Sequence, residues 1–246
     1  MFSYAEADHK YVHETLKKRT ASTINNALTL ERGAQRYAEQ LYGDFGSSAL
    51  IRIYATIPYA KLPEDLRSFA HRLASGAGVA NELYPDTQTL CLMGSKGKRP
   101  EWSDRLQSKG HQAIPLVSSK FVQAIPMITR LLNEFGIGTD WLDRPDKTSM
   151  ITKSMGKIAT VFYVPDATTF RDPSDRLVIP AQDFVKQNGI KTVFGVGGAY
   201  AVGCICTLLC FVAETLDRSV VDKFLPLINF FKQATTRPVM DGRFFG

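Results

Sequence analysis

Three of the four cysteines in this sequence stand close enough together to share a chemical role. An apolar run contains Cys204, Cys206 and Cys210 within seven consecutive positions. All three have even residue numbers. If the run is a β-strand, the three side chains point to one face of it. Sulfur atoms at positions i and i+2 are then about 6 to 7 Å apart, which is too far for an undistorted disulfide. One straight strand also cannot wrap three thiolates around a metal, so we predict buried thiols, with a redox or haem-contact role as the alternative.

His111 is the histidine whose neighbours come nearest to a functional site. It follows Lys109 and Gly110 at the end of a basic loop, and a neutral imidazole can bind haem or a metal ion. However, the sequence offers no second ligand at a helpful spacing, and none of the four histidines pairs with cysteines as in a zinc finger. We therefore predict no metal site, and the identity of any cofactor stays open.

The glycines of Gly195-Val196-Gly197-Gly198 could bring a backbone close to a phosphate, but their context favours a turn. A dinucleotide site needs a strand before the glycines and the N-terminus of a helix after them. Here a second apolar run follows, so the pattern predicts a β-hairpin. The sequence also lacks the local signatures of P-loop, zinc-protease and Ser-His-Asp enzymes. Nothing local therefore supports a hydrolytic enzyme.

Composition and charge are those of an ordinary globular protein. The 246 residues are 44% apolar and 22% charged, with a net charge of +6. Part of that charge is concentrated in one loop, at Lys96, Lys98, Arg99, Arg105 and Lys109. This loop does not have the pattern of interleaved aromatic residues that nucleic-acid platforms use, so we expect a solvated loop and no nucleic-acid partner.

The sequence predicts a cytoplasmic protein that does not enter a membrane. Its most apolar stretch, Tyr200 to Ala213, has 14 residues, fewer than the roughly 20 that a membrane-spanning helix needs. The N-terminal sequence carries acidic residues where a signal peptide would carry basic ones. Four cysteines are too few for a disulfide scaffold, which suits a reducing compartment.

The first 43 residues are predicted to form an amphipathic helical segment. Ser3 and Glu6 match a capping box, so a helix should begin there. Apolar residues recur at spacings of three and four up to Leu41, with an interruption at Gly33. The pattern indicates one long helix or two in line. Such a stripe either packs on its own domain or pairs with a second subunit.

The rest of the chain alternates between strands and helices. Period-2 and β-branched patterns predict strands at Leu50 to Ala55, Thr89 to Met93, Ile158 to Val164, Ile190 to Val196 and Cys204 to Val212. Helices are predicted at Leu62 to Ala74, at Phe121 to Gly136 with a kink at Pro126, at Ala181 to Gln187, and after Asp217.

The order of elements in the second half resembles the GAF family of small-molecule sensory domains. The resemblance rests on a strand ending in Phe162-Tyr163-Val164-Pro165-Asp166, a short helix in Ile179-Pro180-Ala181-Gln182-Asp183-Phe184-Val185, and the sequence Gly189-Ile190-Lys191-Thr192-Val193-Phe194-Gly195 before a hairpin. It covers roughly residues 155 to 235. The stretch from Gln112 to Gly136 also looks like the extended form of this module in bacterial signalling proteins. One departure is the predicted helix at Leu62 to Ala74, where GAF domains usually have a tight hairpin.

The resemblance implies an α+β fold with an antiparallel sheet of about five or six strands. The N- and C-terminal helices would pack on one face, with a ligand pocket on the other face. We divide the chain into an N-terminal helical element at 1–43, a GAF-like sensory domain at 44–236 and a C-terminal tail at 237–246. The terminal helices commonly form the dimer interface in such modules, so we expect a homodimer, with a separate output domain as the partner that receives the signal.

The expected function is that of a cytoplasmic sensory or regulatory domain for a small molecule. At the pocket we expect Tyr163, Asp166, Phe170, Asp183 and Phe184, and we expect ligand capture to order the loop from Asp166 to Arg176. One alternative is a GAF-like thiol enzyme that reduces methionine sulfoxide through one of its cysteines. Another is a dimerisation module that binds no ligand.

Overall fold

A computed structural model describes residues 1–8, 10–108, 110–144 and 159–246 of the chain. In this part of the chain, six strands form one sheet in the order β3-β2-β1-β6-β5-β4, and all neighbouring strands are antiparallel. The strands are β1 (Ser48–Pro58), β2 (Gln88–Gly97), β3 (Ala113–Pro115), β4 (Thr160–Val164), β5 (Thr192–Ala199) and β6 (Ile205–Val212). Two positions singled out from the sequence, Lys109 and Ile158, lie outside the described residues.

Helices cover both faces of this sheet. Their bounds are α1 (Lys17–Ile24), preceded by a π-helical turn (Tyr11–Leu16), α2 (Leu30–Asp44), α3 (Glu64–Gly76), α4 (Ser119–Gln123), α5 (Pro126–Glu134), α6 (Gln182–Gln187), α7 (Arg218–Asp222) and α8 (Pro226–Met240). Among the residues described, no helix combines the length and the apolar character needed to cross a membrane.

The terminal helices α1, α2 and α8 pack together on one face of the sheet, and α4 and α5 lie on the other. The alternating side chains of β6 show that each face of the sheet has its own core. Cys206, Leu208 and Cys210 join the core under the terminal helices, whereas Leu209 and Phe211 join the core on the opposite face. This is the α+β arrangement that the resemblance to GAF domains implied, and it confirms the predicted fold class.

The connection between β1 and β2 also follows the sequence-based prediction. Helix α3 stands between the two strands, and its Leu66 and Ala70 are buried in the core under the terminal helices. The strands nevertheless pair directly, from Leu50 opposite Gly97 to Pro58 opposite Gln88. The departure from a tight hairpin is therefore a helical insertion that leaves the strand pairing intact.

The start of the N-terminal helical segment differs from the prediction. Ser3 does not cap a helix: its Oγ accepts the N–H of Ala5 at 3.1 Å and donates to Glu214, 211 positions away, at 2.8 Å. The first helical turn begins near Tyr11, whose N–H is accepted by Asp8 Oδ1 at 2.6 Å. A contact far away in the sequence has replaced the local cap.

The interruption of this segment also falls elsewhere than expected. It lies between α1 and α2, where Asn26 has a left-handed φ of 66° and the Thr29 side chain accepts the N–H of Arg32 at 3.3 Å. Gly33, the expected interruption, is inside α2. A Cβ on Gly33 would lie 2.8 Å from a methyl carbon of Thr235 in α8, so the glycine permits close packing of the two helices.

The last residues of the chain are held against the terminal helices. Helix α8 continues to Met240, beyond the expected start of the tail at residue 237. The carbonyl groups of Arg243 and Phe244 then accept the N–H groups of Leu30 and Glu31 at 3.0 and 2.9 Å. These two N–H groups belong to the first turn of α2 and have no partner within the helix. The C-terminal residues therefore cap α2.

Candidate functional site

A cavity of about 320 Å³ lies between the sheet and the segment on its face opposite the terminal helices. Its apolar walls come from the strands at Leu50, Leu90, Ile114, Leu209 and Phe211, from Ile125 to Ile128 at the start of α5, from Ile179 to Ala181, and from Trp102 and Phe184. Walls of this kind around a preformed space are typical of small-molecule sites. The volume is at the low end for such sites, which indicates a small ligand.

The polar groups of the cavity centre on Arg52 of β1. Its Nη2 donates to Ser108 Oγ at 2.8 Å, and its Nη1 donates to Tyr54 Oη at 3.2 Å and to the Gly110 carbonyl at 3.3 Å. All three acceptors are uncharged, and no described carboxylate forms an ion pair with Arg52. Of its five N–H groups, one on Nη2 and the buried one on Nε have no acceptor among the described residues.

His111 stands beside this arginine at the cavity wall. Part of its surface is open to solvent and part lines the cavity, and its backbone has a left-handed φ of 54°. Desolvation, and to a smaller extent the positive charge of Arg52, lower the pKa of His111 below its ordinary value. The imidazole is therefore neutral at pH 7 and offers one N–H donor and one acceptor nitrogen.

Of the five pocket residues expected from the sequence, the structure places Phe184 in the wall of this cavity. Phe184 makes an edge contact with Trp102, with 5.2 Å between the ring centroids. Asp183, one position earlier, is exposed in the first turn of α6. Successive helical residues point in different directions, so these two neighbours do not share the site.

The other three expected residues lie elsewhere. Tyr163 donates its hydroxyl hydrogen to the Leu216 carbonyl at 2.6 Å and packs against the core under the terminal helices. Asp166 accepts the N–H and hydroxyl of Thr168, and these hydrogen bonds lower the pKa of its carboxyl group. Phe170 lies 4.6 Å from the guanidinium of Arg130. The structure thus distributes the three over separate local contacts outside the lining of the cavity.

The loop from Asp166 to Arg176 is held by its own hydrogen bonds. Asp172 accepts from the N–H groups of Ser174 and Arg176 and from the Arg176 side chain. Arg176 also donates to the Gln123 carbonyl at 2.8 Å, which joins the loop to the end of α4. These bonds give the loop a defined conformation.

Arg52 was not singled out from the sequence, although a signal for it exists. In β1, residues of even number from Leu50 to Tyr54 face the cavity, and Arg52 is the charged one among apolar neighbours. A charged side chain at an inward position of a central strand is unusual because burial of an unpaired charge is costly. That pattern would have indicated a functional residue.

All four cysteines are buried free thiols that face away from the cavity. Cys91, Cys204, Cys206 and Cys210 belong to the core under the terminal helices. Desolvation raises the pKa of all four thiols, to about 12 for Cys206 and Cys210. Within the described part of the chain there is also no group of three or more His, Cys, Asp or Glu residues that could hold a metal ion.

We expect none of these thiols to react in the folded protein. The reactive species is the thiolate, which burial and a raised pKa suppress. Iodoacetamide at pH 7.5, followed by intact-protein mass spectrometry, should leave the native chain unmodified while the urea-unfolded chain gains four adducts. Rapid labelling of a single cysteine in the native chain would contradict this assignment.

Comparison with known proteins finds similarity of structure only. Neither a protein-family model nor a curated protein matches the chain. The free methionine-R-sulfoxide reductase from Neisseria meningitidis, solved with its substrate, is 11% identical over 98% of both chains, with a TM-score of 0.48. The GAF domain of an Acinetobacter phosphoenolpyruvate-protein phosphotransferase is 13% identical over 93% of this chain and 95% of that chain, with a TM-score of 0.45.

The phycocyanobilin-bound GAF domain of a cyanobacterial phytochrome is similar to the same degree. It is 10% identical, over 96% of this chain and 98% of that chain, with a TM-score of 0.46. Likeness at these identities concerns the path of the chain and transfers neither ligand nor activity. The function of this chain has to be argued from its own cavity.

Proposed function

We propose that this chain is a cytoplasmic sensory or regulatory domain that binds a small molecule in the cavity and signals through its terminal helices. The observation that carries the proposal is an apolar cavity of about 320 Å³ with a cation, Arg52, whose protein partners are uncharged. Apolar walls with a few polar groups that fix orientation are what a small-molecule site requires.

A route from the cavity to the terminal helices supports the signalling part of the proposal. Trp102 lines the cavity, and its carbonyl accepts a hydrogen bond from Ser95 Oγ at 2.9 Å. Gln35 of α2 donates to the carbonyls of Ser95 and Ser103, at 3.1 and 2.8 Å. The loop after β2 is thereby attached to α2, so a ligand that displaces Trp102 also acts on α2.

A second attachment lies further along the same loop. Arg105 pairs with Glu31 of α2 and, at 2.7 Å, with Asp65 of α3. Its side chain is 9% exposed, so this contact is screened by solvent less than a surface ion pair. Arg105 is three positions from Trp102 and six from His111, so both cavity residues belong to a loop that these charges hold against the helices.

The proposed homodimer would use the outer faces of the terminal helices. Their apolar stripes are already packed on the sheet, whereas Arg32, Arg36 and Glu39 of α2 are exposed. A dimer interface at this place would therefore be polar. We propose that a separate output domain reads the position of these helices, which requires a ligand with different affinities for two helix arrangements.

Native mass spectrometry of the protein purified from its own cells tests binding and assembly together. The proposal predicts a dimer in which each chain carries one small molecule, released when the protein is unfolded. A dimer without bound mass would support the ligand-free dimerisation module instead. A protein that is always monomeric would contradict the proposed dimer. The presence or absence of a bound small molecule would then still test the cavity.

The thiol-enzyme alternative receives no support from the geometry. A catalytic thiolate has to reach its substrate, and the four thiols lie on the sheet face opposite the cavity. Desolvation is the largest influence on all four thiols and raises their pKa, although the charges of Lys232 and Arg105 act in the opposite direction on Cys206 and Cys91. The cavity itself contains no sulfur nucleophile, because Met127 is a thioether.

A further inference from the structure

The charge of the cavity wall points to the class of the ligand. Among the residues that line the cavity, Arg52 carries the one permanent charge, and the neighbouring His111 has a lowered pKa and is neutral at pH 7. The remaining lining is apolar apart from Tyr54 and the Gly110 backbone. The described residues therefore give this cavity one positive charge and no negative charge.

The acceptors around Arg52 fix its orientation without neutralising it. Ser108, Tyr54 and Gly110 supply a hydroxyl, a phenol and a carbonyl oxygen. No Asp or Glu is among the residues that line the cavity, and no described carboxylate forms an ion pair with Arg52. A partly desolvated cation without a counter-ion is costly, and an anion in the cavity would relieve that cost.

Arg52 keeps donor capacity that its protein partners do not use. One N–H on Nε and one on Nη2 are without acceptors in the described chain. Nε itself is buried, and a carboxylate in the cavity can accept a charge-assisted hydrogen bond from the free N–H of Nη2. A single cation balances a single negative charge, which favours a monocarboxylate over a phosphate dianion.

We infer that the cavity binds a small monocarboxylic acid whose carboxylate pairs with Arg52 and whose aliphatic or aromatic body lies among Leu90, Met127, Leu209 and Phe211. This inference rests on the proposed function, because it names the ligand class of the same cavity. The body of the ligand gains affinity from burial of apolar surface. The carboxylate gains it from charge-assisted hydrogen bonds in a site with little water.

Matched acids, amides and amines test the inference. Octanoate, octanamide and octylamine, and also 4-phenylbutyrate and its amide, are titrated against the wild-type protein at pH 7.5 by calorimetry. The expected result is that each acid binds at least about tenfold more tightly than its amide, since hydrogen bonds between charged groups are worth about that factor. The amine should bind most weakly, because it places a second cation beside Arg52.

Substitution of the arginine then assigns the preference to one residue. In Arg52→Gln the acid and the amide should bind with affinities equal within about twofold. Arg52→Lys keeps the positive charge but loses the planar guanidinium with its several donors, so it should keep part of the preference for acids. Arg36→Gln is the matched control, because Arg36 is exposed on α2 outside the cavity lining. Circular dichroism and thermal melting show whether each variant is folded.

The outcomes separate this inference from the proposed function. Preference for acids that Arg52→Gln removes and Arg36→Gln retains would support both. Amides that bind as tightly as acids would overturn the inference and leave the cavity as a binding site. Preference for acids that survives in Arg52→Gln would also overturn it. If no compound of either series binds, the inferred ligand class is wrong. Native mass spectrometry then still tests whether the cavity binds a small molecule.

Discussion

Replacement of Gly94 by alanine is expected to destabilise the protein by about 3 kcal/mol. Gly94 lies in β2, beneath α2, and a Cβ at this position would be 2.5 Å from both the carbonyl carbon and the oxygen of Ala34. The atoms that it meets are backbone atoms, so they cannot turn away as a flexible side chain could. Helix α2 would have to move off the sheet, against the hydrogen bonds between Gln35 and Ser95.

Urea unfolding of Gly94→Ala and Gly76→Ala measures this effect against a matched control. Gly76 is the last residue of α3, and a Cβ there would meet no heavy atom within 4 Å. Because alanine favours helix more than glycine does, Gly76→Ala should keep or slightly raise the free energy of unfolding. Equal stability of the two variants would contradict the close contact of α2 with β2.

The sheet and its two faces were largely predictable because their signals are local. Strands at β1, β2, β5 and β6 follow from runs of apolar residues, and the hairpin after β5 follows from its glycines. The shared face of Cys204, Cys206 and Cys210 follows from parity alone. These patterns depend only on residues close together in the sequence, so the strands and the hairpin can be predicted without the tertiary structure.

The start of the N-terminal segment was not predictable because a distant contact decides it. Ser3 and Glu6 have the spacing of a capping box, but Ser3 and the N–H groups of Tyr4 and Ala5 bind Glu214, which follows β6. Only the folded sheet brings this carboxylate to the N-terminus. The local preference was overridden by partners more than 200 positions away.

The cavity could be predicted only in part for a similar reason. Phe184 was expected there, but Tyr163, Asp166 and Phe170 use their polar or aromatic groups in contacts close to β4 and its loop. Arg52 comes from β1, more than 100 positions earlier, and reaches the same space because β1 pairs with β6. The resemblance to a family predicted pocket residues between Tyr163 and Phe184. It did not predict that β1 supplies the cation Arg52.

Substitution of Met127 by tryptophan is expected to weaken small-molecule binding by roughly a hundredfold. Met127 lies in α5, is partly buried, and lines the cavity with a flexible side chain. An indole in its place would occupy space that the ligand needs, and overpacking of this kind costs up to about 3 kcal/mol. The partial exposure of the site lets the variant fold, since the ring can also lie against the surface of α5.

Met240→Trp is the matched control for this prediction. Met240 ends α8, is 56% exposed, and lies outside the lining of the cavity. The same change of side chain there should leave binding unaltered. If both variants bound equally well, either the new indole does not enter the cavity or the cavity is not the site, and a crystal structure of Met127→Trp distinguishes these cases.

Retention of the natural ligand tests the central claim most directly. Wild-type protein, Met127→Trp and Met240→Trp are produced in the cells from which the chain comes and compared by native mass spectrometry. A ligand site in the cavity predicts the same bound small molecule on wild type and Met240→Trp, and none on a folded Met127→Trp whose indole fills the cavity. A folded Met127→Trp with its cavity filled that still carries the molecule would contradict the assignment of this cavity as the binding site.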